Sequence, residues 1–134
     1  MKLNELLSLP DIMELMLDAV CVVDKQGIFV FVSAAFEEIF GYRPEEVIGK
    51  SMVDMIFPED IAFTLAAVDK LMQGTIEPRF ENRWLHKSGR IIHVLWSVRW
   101  SEEHQVRIAV AHDITARKKI EERLLYMAGH DQLT

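Results

Sequence analysis

One cysteine, Cys21, stands among the 134 residues, so no internal disulfide can form, and the usage fits a reducing compartment. Basic residues are in deficit: 15 Lys and Arg against 21 Asp and Glu leave a net charge of -6. That balance works against nonspecific nucleic-acid binding, which needs lysine and arginine to displace counterions from phosphates, so neither DNA nor RNA is expected as a partner. Long apolar runs are missing as well. The longest, such as Ala19 to Val23, fall far short of the roughly 20 residues of a membrane helix, and the N-terminus lacks the charged-then-apolar order of a signal peptide. These absences read as a cytoplasmic protein without direct membrane insertion. There is no internal repeat and no low-complexity stretch. What is present is a balance of 50% apolar and 27% charged residues, and a length sufficient to withdraw roughly two-thirds of the unfolded surface from water. One globular domain needs no further staple.

Along the chain, Ile12, Met13, Met16 and Leu17 follow Pro10 at helical spacing and predict a short amphipathic helix over about 11 to 18. Ala19 to Asp24 is β-branched enough for a strand, Lys25-Gln26-Gly27 is a turn, and Ile28 to Val32 returns, giving a hairpin. Ser33 is placed to cap a helix running to Gly41 through its hydroxyl. Short helical pieces follow, punctuated by Pro44, Gly49 and Pro58. A longer helix over about Asp60 to Gln73 carries Ile61, Leu65, Val68 and Met72 on one face, and Gly74 stops it.

Three strands complete the pattern, at about Arg79 to His86, Ile91 to Ser101 and Gln105 to Asp113. In the middle one Val94, Trp96, Val98 and Trp100 alternate with His93, Ser97 and Arg99, which directs the first set to the core. In the last, Val106, Ile108 and Val110 line one face and Ala109 and Ala111 the other; neither suits water, so each needs a cover. Ala116 to Ala128 is a charged helix with Ile120, Leu124 and Met127 in a narrow coiled-coil-like seam.

Catalytic readings find little support. Five histidines and two HisAsp pairs invite a metal site, yet His86, His93 and His112 fall on predicted strands and His104 in a turn, whereas metal phosphohydrolases gather ligands on packed helices. No metal is expected. Cys21 has no base near it in sequence and reads as a buried structural thiol. The adjacent acids Glu37-Glu38, Glu45-Glu46 and Glu121-Glu122 point in different directions, as solvated faces do.

The ordered pieces ValValAspLysGlnGly at 22 to 27, AlaPheGluGluIlePheGlyTyr at 35 to 42, GluGluValIleGlyLys at 45 to 50, ProGluAsp at 58 to 60, LysSerGly at 87 to 89 and AspIleThr at 113 to 115 resemble the PAS family from about Leu17 to Thr115. Ser33 departs from the asparagine the family more often has there. The resemblance implies an α+β fold: a five-stranded antiparallel sheet with helices packed on one face, plus an N-terminal helix and a C-terminal signalling helix. The implied division is an N-terminal helical cap at 1–18, a PAS sensory domain at 19–115, and at 116–134 the signalling helix with the start of a further domain. HisAspGlnLeuThr at 130 to 134 is similar to the opening of a GGDEF diguanylate cyclase domain, whose nucleotide- and metal-binding parts would lie further on, so the chain itself is not expected to catalyse. His130 as the phosphoacceptor of a histidine kinase is the competing reading, and a plain dimerisation module without ligand is a third.

Family chemistry can be tested on the residues. The position of the flavin photosensors' reactive cysteine is Met52 here, and their polar flavin contacts match Trp84, Val94 and Ala111, so flavin of that type is disfavoured. The long helix offers no axial histidine, so haem is disfavoured too. What the resemblance leaves on the inner face is Cys21, Val23, Trp84, Val94, Trp96, Val98, Ala109 and Ala111, joined by Met52, Leu65 and Met72 from the helices. These shape a small apolar ligand pocket with Asn82 as polar handle, or a filled core. At the exit joint Asp113 accepts hydrogen bonds where the chain turns, Thr115 caps the outgoing helix, and Arg117 or Lys118 pairs with Asp113. A homodimer is expected through Ile12, Met13, Met16 and Leu17, the row Val106, Ile108 and Val110, and the seam Ile120, Leu124 and Met127.

Overall fold

The computed structural model describes residues 17–74 and 79–131, the last two by their backbone alone. The predicted helix at about 11 to 18, with Ile12, Met13 and Met16, and the end of the HisAspGlnLeuThr segment therefore lie outside the described residues. Strands β1 (Ala19–Asp24) and β2 (Phe29–Val32) form the hairpin, turned at Gly27 with φ 82°. The Asp24 carboxylate accepts from the amides of Gln26 and Ile28, fixing the turn. Ile28 was expected in the strand; it instead bridges Ser51, so β2 starts one residue later.

Helix α1 (Ala34–Phe40) ends at Gly41, also at φ 82°. A side chain there would be strained twice, since a Cβ would come 2.5 Å from the His86 ring. The one-turn α2 (Pro44–Val47) and 3-10 turns at Met52–Met55 and Pro58–Asp60 lead into α3 (Ile61–Met72). Strands β3 (Arg79–Leu85), β4 (Ile91–Ser101) and β5 (Val106–Asp113) follow, and α4 (Thr115–Asp131) leaves the domain.

The five strands form one sheet in the order β2-β1-β5-β4-β3, every pairing antiparallel. The last strand is therefore the central one. Its inner face packs against the helices around Phe29, Phe36, Phe40, Ile56, Ile92 and Val94, all nearly inaccessible. Asp60 fastens the helical layer to β3: its carboxylate takes the Arg83 side chain at 2.7 and 3.0 Å and the Arg83 amide at 2.8 Å. Arg83 also lies over the Phe57 ring at 4.3 Å. Two expectations fail at the residue scale. Ser33 does not cap α1; its buried hydroxyl accepts from the Val20 amide at 2.8 Å and ties the helix entry to β1. Trp100, at the outer end of β4, gives its indole N–H to Glu102 and stays outside the core cluster.

Candidate ligand cavity and exit joint

Between α3 and the sheet lies a cavity of about 50 Å³. Of the pocket candidates read from the sequence, Cys21, Val23, Met52, Asn82, Trp84, Trp96, Val98 and Ala109 line it. Val94 and Ala111 do not; both are fully packed within the core. Leu65 and Met72 are not on its wall either, and Leu65 is 41% exposed. The inner face of α3 is carried by Thr64, Ala67, Val68 and Leu71, because Thr64 rather than Leu65 turns inward to a polar partner on β3. Phe29, Phe80 and Arg107 complete the lining.

Aromatic rings make the floor. Trp84 and Trp96 lie with centroids 5.0 Å apart, and Phe40 sits 5.2 Å from Trp84. Such tilted and edge contacts add to the area the rings bury. A polar chain crosses this apolar ground: the Trp96 indole donates to Asn82 Oδ1 at 2.7 Å, and Asn82 Nδ2 donates to Thr64 Oγ1 at 3.1 Å. The Trp84 indole N–H is buried and finds no acceptor among the described residues.

Arg107 was passed over in the sequence, although its alternation with Ala109 and Ala111 sets it on the inner face. It is 3% exposed. Burial pulls it down from the ordinary arginine range, with Asp24 and Cys21 acting in the opposite sense. Burial also pushes the Cys21 thiol up to about 12, Arg107 drawing it partly back, so Cys21 is a neutral thiol at neutral pH and no nucleophile. Among the described residues no three His, Cys, Asp or Glu side chains converge as metal ligands, and no helix is long and apolar enough to cross a membrane.

At the exit, Asp113 Oδ1 accepts from the Thr115 amide at 2.9 Å, as the AspIleThr pattern implied. The other two expectations there are corrected. Thr115 does not cap the helix with its hydroxyl; Oγ1 accepts from the His93 amide at 3.0 Å, tying the first turn of α4 to β4. Arg117 and Lys118 pair not with Asp113 but with Glu81 on β3, at 3.2 and 2.8 Å, and secondarily with Glu121. Ile114, buried between them, donates its amide to the His93 carbonyl.

Of the residues read as a dimer surface, Leu17 is strongly exposed, Ile108 is 39% exposed, and Val106 and Val110 are half-buried on the outer sheet face. Phe31 and Val22 stand in register beside Ile108 and extend the apolar row across three strands. Ile120, Leu124 and Met127 are each more than half exposed on α4.

A family model described as the PAS fold matches residues 9–114. The chain belongs to the PAS family, and the five-stranded antiparallel sheet with packed helices is its fold; a PAS domain is a sensory unit rather than an enzyme. A search of curated proteins found no match. Among solved structures, a PAS domain from a two-component sensor histidine kinase is similar with TM-score 0.65 at 18% identity, covering 78% of this chain and 91% of that one. The PAS domain of the Cronobacter turicensis quorum-sensing receptor RpfR, in complex with BDSF, gives TM-score 0.66 at 19% identity over 75% and 96% of the two chains. Drosophila melanogaster Cycle PAS-B with bound ethylene glycol gives 0.61 at 19% identity over 71% and 98%. At these identities the likeness concerns the fold.

Proposed function

We propose that this chain is the cytoplasmic sensor of a signalling protein, working as a homodimer and passing ligand occupancy to an effector domain through α4. One observation carries the reading: β5 lines the cavity with Arg107 and Ala109, and the same strand runs directly into α4, which is strapped to β3 and β4 at Glu81 and His93. A ligand that shifts the sheet therefore moves the root of the helix. The apolar seam of α4 runs only from Ile120 to Met127, about one heptad, too short to pair securely alone, since a coiled coil calls for about three to four heptads. Its pairing draws on the domain contact, for which the exposed row at Ile108 is the natural surface.

The effector favoured by HisAspGlnLeuThr is a GGDEF diguanylate cyclase, whose two GTP-holding subunits make dimer geometry a control point for cyclic di-GMP synthesis. A histidine kinase is the alternative, and one of the similar PAS domains comes from such a protein. That the similar RpfR domain is described in complex with BDSF and with C12:0 supports a ligand-taking sensor over a ligand-free dimerisation module. Light scattering across micromolar concentrations is expected to give a dimer, and Ile108→Asp a monomer. A monomeric wild type, or an unchanged dimer in the variant, would sink the dimeric relay. Assay of the full-length protein for cyclic di-GMP formation from GTP, against autophosphorylation with ATP, separates the two effectors.

A further inference from the structure

Arg107 is the least ordinary residue of the cavity. Its guanidinium carries five donors on a residue only 3% exposed, and no carboxylate or other side chain among the described residues is hydrogen-bonded or ion-paired with it, so its nitrogens keep only a margin of water. Asp24 acts on it electrostatically without an ion pair, its carboxylate accepting instead from the turn amides of Gln26 and Ile28. A cation held at so little exposure without a paired carboxylate is costly, and an acceptor arriving from outside the chain would offset that cost. The Trp84 indole N–H on the same cavity wall is a second donor without an acceptor among the described residues. The side-chain acceptor oxygens on the wall are already in use, Asn82 Oδ1 receiving Trp96 and Thr64 Oγ1 receiving Asn82. The lining is rich in donors, short of acceptors, and otherwise apolar.

We infer that the cavity binds a small monocarboxylate with a short apolar tail, its carboxylate held by Arg107 and the tail lying against Val68, Leu71 and Met52. This rests on the sensor reading and adds the chemical class of the ligand. The charge match follows from the guanidinium fork, which suits a planar carboxylate bidentately. The volume sets the limit on size: about 50 Å³ is a third of the roughly 150 Å³ of an apolar cavity that takes six-carbon benzene, so even butyrate, with six heavy atoms, enters only as the unbranched Met52 or Leu71 swings aside, and short tails cost least.

The test is calorimetric titration of the purified protein with butyrate and hexanoate, against butyramide and hexan-1-ol, repeated on Arg107→Met. Carboxylates should bind at least about tenfold tighter than the uncharged analogues, a margin in keeping with charge-assisted hydrogen bonds. Arg107→Met, which replaces the buried cation by an apolar chain, should lose that margin while retaining the alcohol. Equal affinity for carboxylate and amide would overturn the inference and leave a sensor of neutral ligands. No binding of any compound by a protein that still dimerises would overturn it and leave the dimeric relay standing; carboxylate binding by a monomer would do the reverse. If Arg107→Met does not fold, the comparison of carboxylate with amide on the wild type decides alone.

Discussion

Asp60 is the clearest case of one side chain holding two layers together. The hydrogen bonds from Arg83 keep its carboxyl below the ordinary aspartate range against the opposing effect of burial. Because the folded-state pKa is the lower one, the stabilisation is complete above the unfolded value and is lost as pH falls through the folded one. Urea midpoints should therefore decline on acidification from about pH 5 towards pH 2, and Asp60→Asn should flatten part of that decline. At neutral pH Asp60→Ala should cost about 2 to 3 kcal/mol, below the usual loss for a broken buried pair because the Arg83 side chain is 34% exposed and keeps some water. Trp96, 3% exposed and bound to Asn82, should cost about 3 to 5 kcal/mol when changed to alanine, measured in the same melts. Period-two alternation was enough to find Trp96. It was equally enough for Arg107, whose charge hid it: a basic residue reads as solvent-facing until the strand is known to have both faces covered. The hydroxyls of Ser33 and Thr115 were legible as structural but not in direction, because a serine or threonine at a helix entry can accept from its own helix or from the strand beside it, and only the tertiary fold decides.

At the scale of elements, order and boundaries were legible because glycines at Gly27, Gly41 and Gly74 take positive φ where the sequence changes period. The phase of α3 was not. Spacings of three and four fit both the face Ile61, Leu65, Val68, Met72 and the face Ile61, Thr64, Val68, Leu71, and counting apolar residues picks the wrong one. Thr64 turns inward because Asn82 on β3 gives it a partner. Gly41 separates two helical segments, and Gly41→Ala should destabilise by about 1 to 3 kcal/mol, from the left-handed backbone alone and from displacing His86. Denaturant midpoints check the size, and the imidazole shift of His86 checks the cause. For α4 the strap is specific: Thr115→Val leaves the His93 amide without its acceptor. Hydrogen exchange at that amide should accelerate by about tenfold or more, while the core amides of β1 keep their rates. An unchanged His93 would mean the hydroxyl contact does not hold the helix root.

Across the whole molecule, β1 and β4 meet only through β5, so the hairpin β1–β2 and the pair β3–β4 are two separate ribbons until the last strand lies between them. A chain ending at Ser101 should accordingly show no cooperative unfolding transition by circular dichroism, where the full chain shows one. A truncated protein that still melted cooperatively would mean the helices alone can join the ribbons. The same order has a meaning for a chain being made. A ribosome delivers β1 first and β5 last, at about 5 to 20 residues per second, so the ribbon ending at Val32 waits several seconds and the one ending at Ser101 about one or two, each with the edge that β5 will join still bare. The domain thus closes in one step, when its last strand is delivered, rather than by degrees. Because α4 is translated directly after β5, whatever is joined beyond it is delivered onto a sheet that has only just closed.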